Sequence, residues 1–166
     1  MPHSRSYKIL IVNGPNLGRL GVREPEIYGR LGLDILPGVI AELADVQAPG
    51  ATPAFELDFF QSNHEGALID RLEQAHDQAV DGVVINAGAF THTSLALADC
   101  LASLAAAGIP LIEVHITNVL ARPEAIRHQS LTAPHCKGLI AGFGLAGYGL
   151  GVKALLWHLQ EKTKTR

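Results

Sequence analysis

The residues best spaced for acid–base chemistry are Glu113 and His115, near the end of an apolar run. In an extended segment, side chains two residues apart point to the same side, so a carboxylate can reach and orient the imidazole. A histidine held in this way can donate or accept a proton near neutral pH. A hydrogen-bonded structural histidine has the same spacing, so both interpretations stay open.

Arg23 and Tyr28 form a second candidate pair, in a segment that contains glycine and proline. A free tyrosine has a pKa of about 10 and is a poor base at neutral pH. A nearby cation favours the phenolate, and the Arg23 guanidinium could supply that charge. The spacing alone favours a packed Tyr28 ring and a solvated Arg23.

The elements that must position these residues alternate between short apolar runs and helical patterns. The alternation predicts an α/β fold, a single domain whose five-stranded parallel sheet has helices on both faces. We expect flavodoxin-like strand order. Strands are expected at Ile9–Val12, Phe55–Phe60, Val83–Ala87, Leu111–Val114 and Leu139–Ala141, and helices at Leu33–Val46, Glu65–Val80, from Thr93 or Ser94 to about Ala107, and finally to about Lys162.

Polar and glycine-rich segments follow the ends of the predicted strands, whereas their starts carry little chemistry. In a parallel sheet these ends meet at one edge, and ligands bind outside it. We therefore expect a functional site at this edge. The segments begin at Asn13, Gln61, Asn86, His115 and Gly142.

Length and composition indicate one globular domain over residues 1–166, and we expect frayed tails at about 1–7 and 163–166. The chain is 48% hydrophobic, and its net charge of −3 gives no electrostatic reason to bind nucleic acid. It has no membrane-spanning stretch and no signal peptide, so a cytoplasmic protein is expected. The two cysteines, Cys100 and Cys136, are interpreted as small buried residues.

Motifs in order along most of the chain, from about Ile9 to Leu156, resemble those of the type II 3-dehydroquinases. They are Asn-Gly-Pro-Asn-Leu from Asn13, Arg-Glu-Pro from Arg23 with Tyr28-Gly29, Gln-Ser-Asn-His-Glu-Gly from Gln61, Thr-His-Thr-Ser from Thr91, Glu-Val-His from Glu113 and Gly-Phe-Gly-Leu-Ala-Gly-Tyr from Gly142. The resemblance implies a lyase that dehydrates 3-dehydroquinate to 3-dehydroshikimate without a cofactor. It does not separate aromatic amino acid biosynthesis by the shikimate pathway from quinate breakdown.

The resemblance also implies roles for individual residues. Tyr28 is the expected base, with Arg23 beside it, and His115 is the expected acid, oriented by Glu113. Asn16 is expected to hold a water molecule against the enolate oxygen. The expected substrate-binding residues are Asn86, Gly88, His92, Asp99, Ile116, Thr117 and Arg127.

The family resemblance further implies a homo-oligomer, a dodecamer built from trimers, in which Asp99 reaches the site of a neighbouring subunit. A plain surface charge at Asp99 is the alternative. The segment from about Leu17 to Gly29, with Gly18 and Gly21 as hinges, is expected to close over the substrate as a lid.

Other chemistries fit the sequence less well. The Gly142–Gly147 segment matches GxGxxG, but the strand and acidic residue that a dinucleotide site requires do not follow it. Schiff-base chemistry needs a buried lysine, and the lysines are expected at strand starts or on the last helix and tail. His64 and Glu65 lack a second histidine at metal-site spacing. A flavodoxin-like module that binds FMN or a phosphate ligand and an inactive paralogue remain as alternatives.

The sequence departs from the family pattern in three places. Arg122 and Arg127 are one residue further apart than is usual, with Pro123 between them, so either arginine could have left its family position. Thr117 stands where serine is more usual. Gly149 and Gly151 lie near the start of the last helix, where each costs up to about 1 kcal/mol relative to alanine.

Overall fold

Five apolar segments pair side by side into one parallel sheet in the computed structural model, which describes residues 6–22, 24–44 and 54–164. The strand order is β2-β1-β3-β4-β5, and every pairing is parallel. This is the flavodoxin-like order, so the predicted fold class is confirmed. The strands are β1 (Tyr7–Asn13), β2 (Phe55–Gln61), β3 (Gly82–Asn86), β4 (Leu111–His115) and β5 (Gly138–Ala141).

Helices cover both faces of the sheet. One buried cluster joins α2 and α5 to one face, and a second joins α3 and α4 to the other. Because successive strand residues point to opposite faces, Val84 belongs to the first cluster and Ile85 to the second. The helices are α1 (Pro25–Tyr28), α2 (Leu36–Ala44), α3 (Glu65–Asp77), α4 (Leu95–Ala106) and α5 (Ala146–Lys164).

Element ends differ from the sequence-based expectations by a few residues. A 3₁₀ turn over Leu33–Ile35 precedes α2, and the rest of the predicted helix to Val46 lies outside the described residues. Helix α3 ends at Asp77 because Ala79 adopts a left-handed φ of 53°. At the start of α4, the Ser94 hydroxyl caps the helix by accepting from the Leu97 N–H at 2.9 Å.

The structure describes only residues 6–7 and 163–164 of the two predicted tails. Tyr7 is the first residue of β1, and α5 extends to Lys164. The rest of both predicted tails lies outside the described residues.

Gly149 and Gly151 allow α5 to pack closely. A Cβ atom on Gly149 would lie 2.7 Å from the Leu43 Cβ on α2. A Cβ atom on Gly151 would lie 3.3 Å from methyl groups of Val84 and Val114 in the sheet. These two glycines lower the helix propensity of α5, but they allow the helix to approach both α2 and the sheet closely.

Gly149→Ala is expected to lower the free energy of unfolding by about 1–3 kcal/mol, because overpacking outweighs the gain in helix propensity. Urea unfolding measures this. Gly38→Ala is the matched control, because a Cβ there meets nothing within 4 Å. The control should stabilise the protein by about 0.5–1 kcal/mol. Equal stabilisation by both variants would contradict the packing argument.

Candidate active site

An open pocket of about 140 Å³ lies at the edge of the sheet where β1, β3 and β4 end. Several residues singled out from the sequence line it, and they come from segments far apart in the chain. Pro15, Leu17, Leu20, Ala89, Val119 and Arg122 complete the lining. The predicted site residues in the lining are Asn16, Asn86, Gly88, His92, His115, Ile116, Thr117 and Arg127.

Glu113 and His115 form a buried hydrogen-bonded pair at the end of β4. The His115 Nε2 and Glu113 Oε1 atoms are 2.7 Å apart, and Glu113 is fully buried. Both side chains point to the sheet face that α3 and α4 cover, because Leu111 on the same side of β4 belongs to that cluster. A carboxylate accepts hydrogen bonds only, so Nε2 donates, and Nδ1 is the ring nitrogen left for a ligand.

Two hydroxyl groups satisfy the rest of the Glu113 carboxylate. The Ser130 hydroxyl lies 3.0 Å from both carboxylate oxygens, and the Thr132 hydroxyl donates to Oε2 at 2.5 Å. The backbone N–H of Ala133 donates to the Ser130 oxygen at 2.8 Å, which holds that side chain in place. A buried charge needs such partners, and these hydroxyls supply them. Neither Ser130 nor Thr132 was among the candidate site residues predicted from the sequence.

His92 stacks near His115 across the pocket. The two ring centroids are 6.4 Å apart, with an angle of 16° between the ring planes. The His92 Nδ1 atom lies 2.6 Å from the Gln129 carbonyl oxygen. A carbonyl only accepts, so Nδ1 carries a proton, and Nε2 is the remaining site for a ligand.

The floor of the pocket depends on backbone conformations that few residues adopt. Gly88 has a φ of 58° and donates its N–H to the Asn86 Oδ1 at 3.1 Å. Asn16 also has a left-handed φ, of 69°, which asparagine tolerates better than most residues. The Asn16 N–H donates to the Asn63 Oδ1 at 2.9 Å, and the Gln61 side chain donates to the Gly14 carbonyl at 3.1 Å. Gln61 and Asn63 therefore support the Asn16 turn, a role that their motif alone did not reveal.

Both arginines in the segment with the extra residue line the pocket. The Arg127 Nε lies 3.6 Å from the Glu124 carboxylate. The pKa of Glu124 is lowered first by a hydrogen bond from its own backbone, then by the charges of Arg127 and Arg122. Both guanidinium groups therefore lower the pKa of Glu124, and both arginines also line the pocket.

Four predicted residues are not among the described residues that line this pocket, and one of them, Glu113, is buried behind His115. Arg23 lies outside the described residues. Tyr28 ends α1, and only its backbone is described. Asp99 is exposed on α4 and is not among the described residues that line the pocket.

The two cysteine thiols are poor nucleophiles. Burial, and then the charge of Glu113, raise the pKa of Cys136 to about 12. Burial, and then Glu73, raise the pKa of Cys100 to about 11. Both thiols are therefore protonated near neutral pH.

Within residues 6–22, 24–44 and 54–164, no group of three or more His, Cys, Asp or Glu side chains could hold a metal ion. No helix in those ranges is long and apolar enough to cross a membrane.

Comparisons with known proteins show which family this chain is similar to. The sequence model described as "Dehydroquinase class II" matches residues 7–156. A 3-dehydroquinate dehydratase of Bacillus cereus (strain AH187) is 50% identical over 155 residues, covering 93% of this chain and 98% of that protein. The crystal structure of a type II dehydroquinase from Butyrivibrio crossotus has a TM-score of 0.80 and 45% identity, covering 90% of this chain and 97% of that one.

The type II dehydroquinase from Propionibacterium acnes is similar as well, with a TM-score of 0.77 and 41% identity over 93% of this chain and 97% of that one. The sequence match extends from the first strand into the last helix, and the two structural matches each cover at least 90% of this chain. The chain therefore belongs to the class II dehydroquinase family.

Proposed function

We propose that this protein is a lyase that converts 3-dehydroquinate to 3-dehydroshikimate and water. The observation that carries the proposal is the buried Glu113–His115 pair beside a polar pocket, in a chain whose relatives are named 3-dehydroquinate dehydratase. The pair supplies a positioned proton donor, and the pocket supplies polar groups for a small hydroxylated acid. We place the reaction in the shikimate pathway or in quinate breakdown, which share this step.

The proposed reaction begins with removal of the proton beside the substrate ketone, which gives an enolate. Tyr28 is the proposed base, as a phenolate favoured by the Arg23 guanidinium. Asn16 lines the pocket and is the proposed holder of a water molecule that donates to the enolate oxygen. The proton removed from the substrate stays on the Tyr28 oxygen at the end of this step.

The second step expels the hydroxyl group. The His115 imidazolium gives its Nδ1 proton to the leaving oxygen, so that water departs and the enolate electrons form the conjugated double bond. The neutral ring that remains still donates from Nε2 to Glu113, as the 2.7 Å contact allows. Glu113 therefore stabilises the charged acid before transfer and holds the ring orientation throughout.

The pocket walls suggest how the substrate is held. We assign the backbone N–H groups of Ile116 and Thr117 to the substrate carboxylate. The hydroxyl groups on the rest of the substrate need hydrogen-bond partners as well. We assign them to four other residues that line the pocket, Asn86, Gly88, His92 and Arg127. Asp99 is assigned to the site of a neighbouring subunit in a homo-oligomer, and a dodecamer of trimers remains our expectation.

The segment from Leu17 to Gly29 remains our proposed lid. Leu17 and Leu20 are 8% exposed and pack in the core, so the beginning of this segment is anchored. Any movement would therefore begin near Gly21, which has a φ of 84°. Closure from that point would bring both Arg23 and Tyr28 to the substrate.

Arg127→Ala is expected to raise the KM about tenfold, because a charged hydrogen bond to the substrate is lost. Arg122→Ala should raise it less, since we assign the substrate contact to Arg127. Steady-state kinetics of the two variants measures the difference. If Arg122→Ala has the larger effect, then Arg122 holds the substrate and the extra residue in this segment has exchanged the two roles.

The proposed function is tested by adding 3-dehydroquinate to purified protein and following the ultraviolet absorbance of the conjugated product. We expect absorbance to grow in EDTA and after borohydride treatment with substrate, because neither a metal nor a Schiff base is needed. No growth with folded protein would overturn the proposal in favour of an inactive paralogue or a binding module. Loss of activity after borohydride treatment would instead indicate a covalent lysine intermediate.

A further inference from the structure

The glycine-rich segment from Gly142 to Tyr148 joins β5 to α5 directly behind the pocket. The Gly142 N–H donates to the His115 carbonyl at 3.2 Å, and the Gly144 N–H donates to the Ile116 carbonyl at 2.9 Å. These two bonds tie the turn to the end of β4. The same turn places Tyr148 in the first turn of α5, facing the sheet.

Tyr148 is fully buried, and its hydroxyl connects two strand ends. The hydroxyl lies 2.5 Å from the Asn13 Oδ1 and 3.0 Å from the Asn86 Nδ2. Asn13 and Asn86 are register partners at the ends of β1 and β3, and both are nearly fully buried. They lie on the α5 side of the sheet, because Ile11 and Val84 two residues earlier pack in that cluster.

The direction of each hydrogen bond in this group is fixed by the Gly88 backbone. An N–H group can only donate, so Asn86 presents its oxygen to Gly88 and its nitrogen to Tyr148. The Tyr148 oxygen must then accept from Asn86, and its single proton goes to Asn13. Burial raises the pKa of Tyr148, so the phenol keeps that proton.

We infer that Tyr148 is a positioning residue of this site, because its buried hydroxyl fixes the amide of Asn86 against the pocket. One Nδ2 hydrogen of Asn86 is held by Tyr148, which directs the second toward the space that a ligand occupies. The Asn86 oxygen meanwhile holds the Gly88 N–H, and with it the left-handed turn in the pocket floor. The inference rests on the proposed function insofar as Asn86 binds a substrate hydroxyl.

The first test is kinetic and uses Tyr148→Phe, which removes only the hydroxyl. The KM for 3-dehydroquinate should rise about tenfold while kcat changes less than about twofold, because Asn86 holds the substrate equally before and during reaction. Tyr7→Phe is the matched control. Tyr7 is also buried, and its hydroxyl lies 3.5 Å from Thr163 on α5, at the opposite end of β1 from the pocket. The control should leave both constants unchanged.

A double-variant cycle separates positioning from general loss of structure. In an Asn86→Ala background, Tyr148→Phe should change the KM by less than about twofold, because its route to the substrate is already removed. The same tenfold rise in both backgrounds would overturn the inference. An unchanged KM in the single Tyr148→Phe variant would overturn it as well.

The second test does not depend on turnover. Hydrogen exchange at the Gly88 amide, followed by mass spectrometry with fragmentation, should be at least about fivefold faster in Tyr148→Phe and unchanged in Tyr7→Phe. If the wild-type protein does not dehydrate 3-dehydroquinate, the proposed function fails, and this exchange rate alone decides the positioning role. Equal Gly88 exchange in all three proteins would overturn that role.

Discussion

His115→Asn is expected to stop dehydration while leaving the substrate proton beside the ketone able to exchange with deuterium from the solvent. Loss of a positioned acid should lower kcat by about 10²–10⁴-fold. In the proposed mechanism, enolate formation precedes expulsion of the hydroxyl and does not use the His115 proton. Tyr28→Phe should stop both the exchange and the dehydration, because no base remains to form the enolate.

The measurement is mass spectrometry of the substrate recovered from D₂O, beside the absorbance assay. His76→Asn is the control, because His76 is exposed on α3, outside the pocket. If His115→Asn abolishes exchange as well as dehydration, then His115 takes part in enolate formation and the two roles must be reassigned. If Tyr28→Phe retains exchange, Tyr28 is not the base.

The parts of this protein that follow periodic rules could be predicted from the sequence. The alternation of apolar runs and helical patterns predicted the strands and a parallel sheet. The expected flavodoxin-like strand order agrees with the structure. The Glu113–His115 contact also follows from a period, because residues two apart on a strand share a face. Both predictions use spacing along a single element and need no knowledge of packing between elements.

The residues that hold the site in place follow no such periodic pattern along the sequence. Ser130 and Thr132 reach Glu113 from an irregular segment between β4 and β5, and nothing in the sequence marks which hydroxyls turn inward. Tyr148 approaches from α5, 62 residues from Asn86 along the chain. The close approach of Gly149 to α2 is likewise visible only when both helices are placed.

The pocket is therefore supported from both faces of the sheet. From the α3–α4 side, two hydroxyls hold Glu113, which holds His115. From the α5 side, Tyr148 holds Asn86. Because β3 and β4 are hydrogen-bonded neighbours, the sheet holds the proposed acid and the proposed substrate-binding amide side by side at its edge.

Glu113→Gln is expected to lower kcat about 100-fold or more while changing the free energy of unfolding by no more than about 1 kcal/mol. In either orientation of the new amide, the negative charge beside the His115 imidazole is lost. If the amide nitrogen faces Nε2, the ring must also move its proton to Nδ1 to avoid two opposed donors. Both changes disfavour the His115 imidazolium, which is the proposed acid.

Stability should change little, because the cost and the gain of the substitution oppose each other. The Ser130 and Thr132 hydroxyls can turn to accept from the amide, so few groups are left unsatisfied. Removing a fully buried carboxylate also relieves its desolvation cost. Urea unfolding and steady-state kinetics are measured together, with Glu56→Gln as the control, since Glu56 is an exposed strand residue. A stable variant with unchanged kcat would show that the Glu113 charge serves only the structure, whereas a large loss of stability would show that the two hydroxyls require a carboxylate.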